Sequence, residues 1–358
     1  MNNGQFFMIE EQIILLLFIA TVVGIAARRL RMPYTVGLVI VGLGLTLLGE
    51  VQLPITSDLI LGLLVPPLVF EAAYHLNYED LRRNLRPILI LTIPGVLITT
   101  LLVGGVIAWG AHFDFKVALL FGALVAATDP DAVVALIRSL GVPKRLQVLL
   151  EGESLLNDGT VIVLFSIMLG INLTGDFDLL DGLADFFSIA GGGLAVGFIM
   201  GWLLSQVISR IDDHLLETTL TSVLAYGAYL FAESIGVSGV MAVVSAGLVN
   251  GNIGSRGMSP TTRLVVFNFW EYAAFLATTF IFLIIGLQID MRMLLENWQP
   301  ILWAIAAVLL SRAVVVYSLK LFARSIPLKW LHLLFWGGLR GALAPALAIS
   351  LPPVFGDL

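Results

Sequence analysis

Residues 117–137 read VALLFGALVAATDPDAVVALI. A helix of about 20 predominantly apolar residues crosses a bilayer, and this stretch has that length and composition. Its middle does not suit a plain span, because it reads Ala127-Thr128-Asp129-Pro130-Asp131. Pro130 has no amide hydrogen and its ring clashes with the preceding turn, so the helix should break there. Asp129, just before the proline, is pushed out of helical geometry. A break at mid-membrane exposes backbone carbonyls and half-helix ends, and it is tolerated only against protein or a water-filled cavity. Such breaks are used to coordinate ions.

The next apolar run carries a second polar constellation, Glu151-Gly152-Glu153-Ser154-Leu155-Leu156-Asn157-Asp158-Gly159. On a helix Glu151, Ser154 and Asp158 share one face, and Glu153 and Asn157 share a neighbouring one. The first face presents a carboxylate with a hydroxyl one turn below it, a donor set suited to a hard monovalent cation. The second presents a carboxylate that needs a buried cationic partner. Glu151, at the start of the run, also fits simple solvation at headgroup level. Asp158, about three turns in, does not.

The whole chain has the same character. Of its 358 residues 59% are hydrophobic and 12% charged, against about 25% charged in an average soluble domain. That excludes most soluble classes and also disorder. With no cysteine there is no disulfide or thiolate chemistry. Twelve candidate spans can be counted, near residues 13–27, 33–48, 59–74, 88–109, 117–137 and 146–171, then 186–208, 218–232, 239–251, 265–287, 300–322 and 330–349. With the N-terminus outside, fifteen of the nineteen lysines and arginines fall in inside loops and two in outside loops. This is a strong positive-inside bias. Asp176, Asp178, Asp181 and Asp185 cluster in one outside loop.

Ionisable residues at membrane depth are functional hypotheses by default. Arg312 lies mid-span in Leu309-Leu310-Ser311-Arg312-Ala313-Val314 and requires a carboxylate partner, with Glu153 the first candidate. Arg340 sits in Trp336-Gly337-Gly338-Leu339-Arg340-Gly341, where Gly337 and Gly338 suggest a second broken or tightly crossed helix. Glu71, after Pro66-Pro67-Leu68-Val69-Phe70, is expected to face the same cavity. Glu233 and Glu271 are expected near span ends. The four histidines lie at ends or in loops without a second ligand at metal spacing, so no metal beyond a transported ion is expected.

Four stretches together resemble the monovalent cation:proton antiporters of the first subfamily, which include sodium/proton antiporters and sodium/hydrogen exchangers. They are Val65-Pro66-Pro67-Leu68-Val69-Phe70-Glu71-Ala72, Ala127-Thr128-Asp129-Pro130, Glu151 through Gly159, and Gly337-Gly338-Leu339-Arg340-Gly341-Ala342. The resemblance runs from about Arg31 to Leu351. It implies an all-α polytopic membrane protein with inverted repeats and two crossing broken helices. It further implies a transport core of about residues 85–171 and 298–350, and a dimerisation part of about residues 1–80 and 215–290. Asp158 would be the essential ion- and proton-binding carboxylate. Asp129, Ser154, the Thr128 carbonyl and Glu71 would complete the site, with Na+ at Asp158, Asp129 and Ser154. Glu153 and Arg312 would form a structural ion pair beside Asn157, supported by Arg340. The family has thirteen spans where twelve are counted here, so the chain is expected to be truncated.

The function that follows is exchange of Na+ for H+ by alternating access, electroneutral and one-for-one because Asn157 is neutral where electrogenic relatives carry an aspartate. The residue types leave Na+, Li+ and K+ open, so a potassium/proton antiporter is the main alternative. A passive cation channel is disfavoured by the absence of a repeated filter motif. An intramembrane aspartyl protease is disfavoured because Asp158 follows Leu-Leu-Asn rather than that family's Gly-x-Gly. No catalytic residue, enzyme activity, cofactor or nucleic-acid partner is expected. The expected partners are the cation, the proton, the bilayer of a cell membrane and a second copy of the chain in a homodimer.

Overall fold

A computed structural model describes residues 3–30, 32–48, 60–128, 133–134, 142–174, 179–322, 326–338, 341, 343–352 and 355. Among these residues the regular secondary structure is all helical. In chain order the helices are α1 (Asn3–Leu30), α2 (Tyr34–Leu48), α3 (Val65–His75, continuing a π-helical turn at Ile60–Leu64), α4 (Tyr78–Gly110), α5 (Phe115–Leu124) and α6 (Lys144–Thr174). There follow α7 (Leu179–Ile208), α8 (His214–Ser234) and α9 (Gly239–Val249, running into a π-helical turn at Asn250–Gly254 and a short piece at Ser255–Gly257). The last are α10 (Pro260–Gln288), α11 (Trp298–Phe322), α12 (Leu328–Gly337) and α13 (Leu343–Ile349), with a short turn at Met291–Glu296 before α11. Six of the described helices, α4, α6, α7, α8, α10 and α11, are long and apolar enough to cross a membrane unbroken. Each expected span overlaps a described helix, with 330–349 divided between α12 and α13; of 117–137, only the first part, to Leu124, is helical in α5, and residues 129–132 and 135–137 lie outside the described residues.

The helices start and stop for local reasons. Asn77 caps α4 by accepting from the Asp80 amide at 3.1 Å, and Asp114 caps α5 by accepting from the Lys116 amide at 2.9 Å. Each side chain satisfies an amide that has no partner within its own helix. The apolar face of α4 recurs at Ile88, Leu91, Gly95, Val96, Thr99 and Val103, the spacing of one buried helical stripe. Gly122 of α5 lies against the backbone of α4, where a Cβ would stand 2.5 Å from the Thr100 carbonyl oxygen.

Helix ends correct two expectations. Asp181 and Asp185 lie within the first turns of α7 rather than in a loop, while Asp176 and Asp178 lie outside the described residues. Arg82, Arg83 and Arg86, three of the fifteen basic residues counted in inside loops, lie on α4 itself, which begins ten residues before the expected span. Helices project beyond the apolar slab, and hydropathy marks only the slab.

Packing divides the described helices into two groups. In one, α2 packs on α10, α3 on α9 and α10, and α7 and α8 on α9. In the other, α4 packs on α5, α6 and α11, with α12 against α11 and α6. The first group is anchored by Phe70 and Trp270, both fully buried, with ring centroids 4.4 Å apart. The Trp270 indole donates to Thr221 Oγ1 at 3.0 Å and ties α10 to α8. The groups meet where α6 touches α3, α7 and α9, and where α13 touches α10.

Candidate functional site

The site forms where α5 ends. The chain leaves the helix through a turn at Val125 and Ala126, whose amides still donate backward to Phe121 and Ala123 at 3.0 and 3.1 Å. In an unbroken helix the Ala126 carbonyl would accept from the amide of residue 130, but residue 130 is proline and has none. Asn157 on α6 takes over that part. Its Nδ2 donates to the Ala126 carbonyl at 3.2 Å and to Thr128 Oγ1 at 3.0 Å. One turn earlier, Ser154 Oγ donates to the Thr128 carbonyl at 2.8 Å. Two polar side chains of α6 therefore hold the non-helical backbone at 126–128.

Ser154 and Asp158 sit on the face of α6 that lines a cavity of about 260 Å³. The cavity lies between the two helix groups. Ala127 and Thr128 form one part of its wall, and Gly341 and Leu343 another. Across from them, α3 contributes Val65, Leu68, Val69 and Glu71, and α10 contributes Glu271, Phe275 and Thr278. Its polar groups are nearly all oxygen donors, the chemistry of a hard cation site. Asp158, Ser154, Thr128 and Glu71 are thus brought to one cavity. Asp129, Pro130 and Arg340 lie outside the described residues.

Beneath this face lies a buried ion pair. Glu153 is 2% exposed and Arg312 7% exposed. The Arg312 guanidinium contacts Glu153 through both terminal nitrogens, with Nη2 to Oε2 at 3.3 Å. Nη2 also donates to the Leu334 carbonyl of α12 at 2.7 Å. The pair joins α6, α11 and α12 at one point. A buried guanidinium and carboxylate offset their desolvation only with such geometry and extra hydrogen bonds. Gly338, just past the end of α12, packs on the guanidinium, and a Cβ there would overlap it. The break after Gly337 that the glycines suggested is present, since α12 ends at Gly337 and α13 begins at Leu343.

Two features of this region were not read from sequence, the cavity position of Glu271 and a contact of His75, which lies at the end of α3 as expected. Glu271 lines the cavity, a place in the site that the sequence reading did not give it. Its helix starts at Pro260, before the apolar run, so Glu271 is three turns in. His75 has a close partner, since its Nδ1 lies 2.6 Å from Glu71 Oε1. The i, i+4 spacing of Glu71 and His75 was the available signal. Glu233 has a local role, its Oε1 accepting from the Gly239 amide at 2.9 Å across the turn between α8 and α9.

The transmembrane sodium/hydrogen exchanger family profile matches residues 14–353. The chain belongs to the sodium/hydrogen exchanger family. Among its relatives, the Na+/H+ antiporter ApNhaP of Aphanothece halophytica is 43% identical over 93% of this chain and 66% of its own length. The Na+/H+ antiporter NhaH of Halobacillus dabanensis is 37% identical over 96% of this chain and 89% of its own. The structure of the sodium proton antiporter MjNhaP1 from Methanocaldococcus jannaschii superposes with a TM-score of 0.83 at 25% identity, over 96% of this chain and 86% of that one. The chain spans slightly under two thirds of the length of ApNhaP and of the NhaS1 antiporter of Synechocystis, at 66% and 64%. Family membership makes the chain an integral membrane protein, as its apolar helices require, and fixes its fold as the inverted-repeat antiporter fold.

Proposed function

We propose that this exchanger-family chain is the transport domain of a secondary antiporter that exchanges Na+ for H+, one for one, and that it is not an enzyme. The observation that carries this is the cavity-facing stretch of α6, where Ser154 is fixed to the Thr128 carbonyl and Asp158 stands one turn further along the same wall.

Asp158 binds either a proton or a cation. Carboxylate, serine hydroxyl and the Thr128 side supply oxygen donors to the cation, with Asp129 and Glu71 completing the set. Either load neutralises the carboxylate and lowers the cost of carrying it across the apolar slab. The group containing α4, α5, α6 and α11 is the moving core, and the group containing α2, α3, α8 and α10 holds the dimer. Alternating access follows from sliding one against the other around the cavity between them. Glu153 and Arg312, supported by Arg340, are structural and stay paired throughout. The protein works as a homodimer in a cell membrane with its N-terminus outside, and serves pH homeostasis.

The test is reconstitution of the protein in liposomes holding a pH-sensitive dye, with an imposed proton gradient and a clamped membrane potential. Dye recovery on Na+ addition, indifferent to the clamp, is the expected result. Recovery on K+ alone would make it a potassium/proton antiporter. Sodium flux without proton movement would make it a channel.

A further inference from the structure

We propose that the cleft between the start of α4 and the π-helical turn after α9 binds the phosphoryl headgroup of an anionic membrane lipid. The cleft is a cavity of about 900 Å³ distinct from the ion site. Its wall carries three guanidinium groups, Arg82 and Arg83 from α4 and Arg256 from the segment after α9, against one carboxylate, Glu79. Among the described residues none of these three arginines is in an ion pair. Three guanidinium groups gathered at one cleft repel one another unless an anion joins them. Phosphate oxygens match the guanidinium fork in two-point contacts.

The convergence is built into the backbone. Asn252 accepts from the Tyr78 amide through Oδ1 at 2.9 Å and donates to the Leu76 carbonyl through Nδ2 at 2.9 Å. This two-point grip holds the first turn of α4 against the π-helical turn, so arginines distant in sequence share one wall. The amide end of α4 adds its own positive field at the cleft.

The rest of the wall argues for a lipid over a soluble anion. It includes Phe198 of α7, 54% exposed, and Ile253, 43% exposed. A soluble phosphate has no use for exposed aromatic and aliphatic surface beside its charge site, whereas an acyl chain covers it. Basic pockets between membrane helices are suited to anionic headgroups. The cleft also straddles the two helix groups, α4 belonging to one and α7 and α9 to the other.

The test uses the purified protein in neutral detergent with fluorescent phosphatidylglycerol as probe. Phosphatidylglycerol is expected to bind in preference to phosphatidylcholine of the same chains. The variant Arg82→Gln/Arg83→Gln/Arg256→Gln should bind it roughly a hundredfold more weakly, about fivefold per arginine. Arg29→Gln/Arg210→Gln/Lys329→Gln, with the same change in net charge, should bind it like the unaltered protein. Equal binding by the first variant, equal loss in the second, or equal affinity for phosphatidylcholine would each overturn the proposal. Inorganic phosphate is the remaining arm: if it displaces the lipid at comparable concentration, the cleft is a soluble-anion site and the lipid assignment is wrong. Unchanged melting of the first variant confirms that a loss of binding is not a loss of fold.

Discussion

The hydroxyl of Ser154 donates to the carbonyl of Thr128 at 2.8 Å, binding the middle of an unbroken helix to the backbone of a broken one. The carbonyl it holds is one that helical hydrogen bonding would otherwise have consumed. The position of this carbonyl, a cation ligand in the function proposed above, is thereby set by a side chain on the neighbouring helix.

Ser154→Ala removes that donor while leaving Asp158 in place. The apparent KM for Na+ should rise several-fold, with less change in maximal rate, since a net hydrogen bond contributes about 1 kcal/mol. Ser154→Thr, which keeps the hydroxyl, should restore most of the affinity. Sodium dependence that is the same in all three proteins would show that the hydroxyl does not order the site.

Asn157 stands in for the amide that Pro130 lacks. Asn157→Leu keeps the size and loses both donated bonds, so Ala126 O and Thr128 Oγ1 each lose a donor. The cost should be on the order of 2–4 kcal/mol from the two bonds together. A melting curve in detergent measures it, and a melting temperature within a degree or so of the parent would contradict it.

The Glu153–Arg312 pair should behave as a buried ion pair does. Removing one partner, as in Glu153→Leu or Arg312→Met, strands a charge and should cost about 3–5 kcal/mol. The double variant should recover much of that loss. Gly338→Ala, which drives a methyl into the guanidinium, should resemble a single variant. Additive losses in the double variant would mean that the two residues do not act as a pair.

Asp213 at the start of α8 gives a pH test outside the membrane-spanning helices. Amides of Leu216 and Leu215 hold its carboxyl below the ordinary aspartate value of 3.8. A folded-state value that is depressed means stability present above 3.8 and lost as pH falls through the lower, folded value. Asp213→Asn keeps the cap but titrates nothing, so its melting temperature should fall less steeply than the parent's below pH ~4. Parallel acid limbs for the two proteins would remove Asp213 from the account.

Much of this was legible in the sequence. The apolar runs and the lysine and arginine bias reflect the bilayer as solvent, which acts on every residue and leaves a strong pattern. Arg312 announced a partner because a lone guanidinium at that depth is untenable, and Glu153 was among few carboxylates as deep. Glu271 was left out of the site because its place along the apolar run says how far it lies from a span end and not which cavity its helix faces. The His75–Glu71 contact was missed for another reason. An i, i+4 spacing permits a contact, but only the packing of Phe267 on the imidazole, with centroids 3.9 Å apart, shows the ring confined there. Sequence left α7 unassigned to either group, because its polar residues cluster at its two ends and its long apolar middle does not declare which neighbour it prefers.

The most direct measurement compares the protein with Asp158→Asn in the same liposomes, under a clamped potential and an imposed proton gradient, both forms first verified as folded by their melting curves. Sodium-driven dye recovery in the first and baseline in the second is the predicted result, since an amide can take neither the proton nor the cation's charge. Sodium-dependent proton movement that survives in Asp158→Asn would contradict the account at its centre.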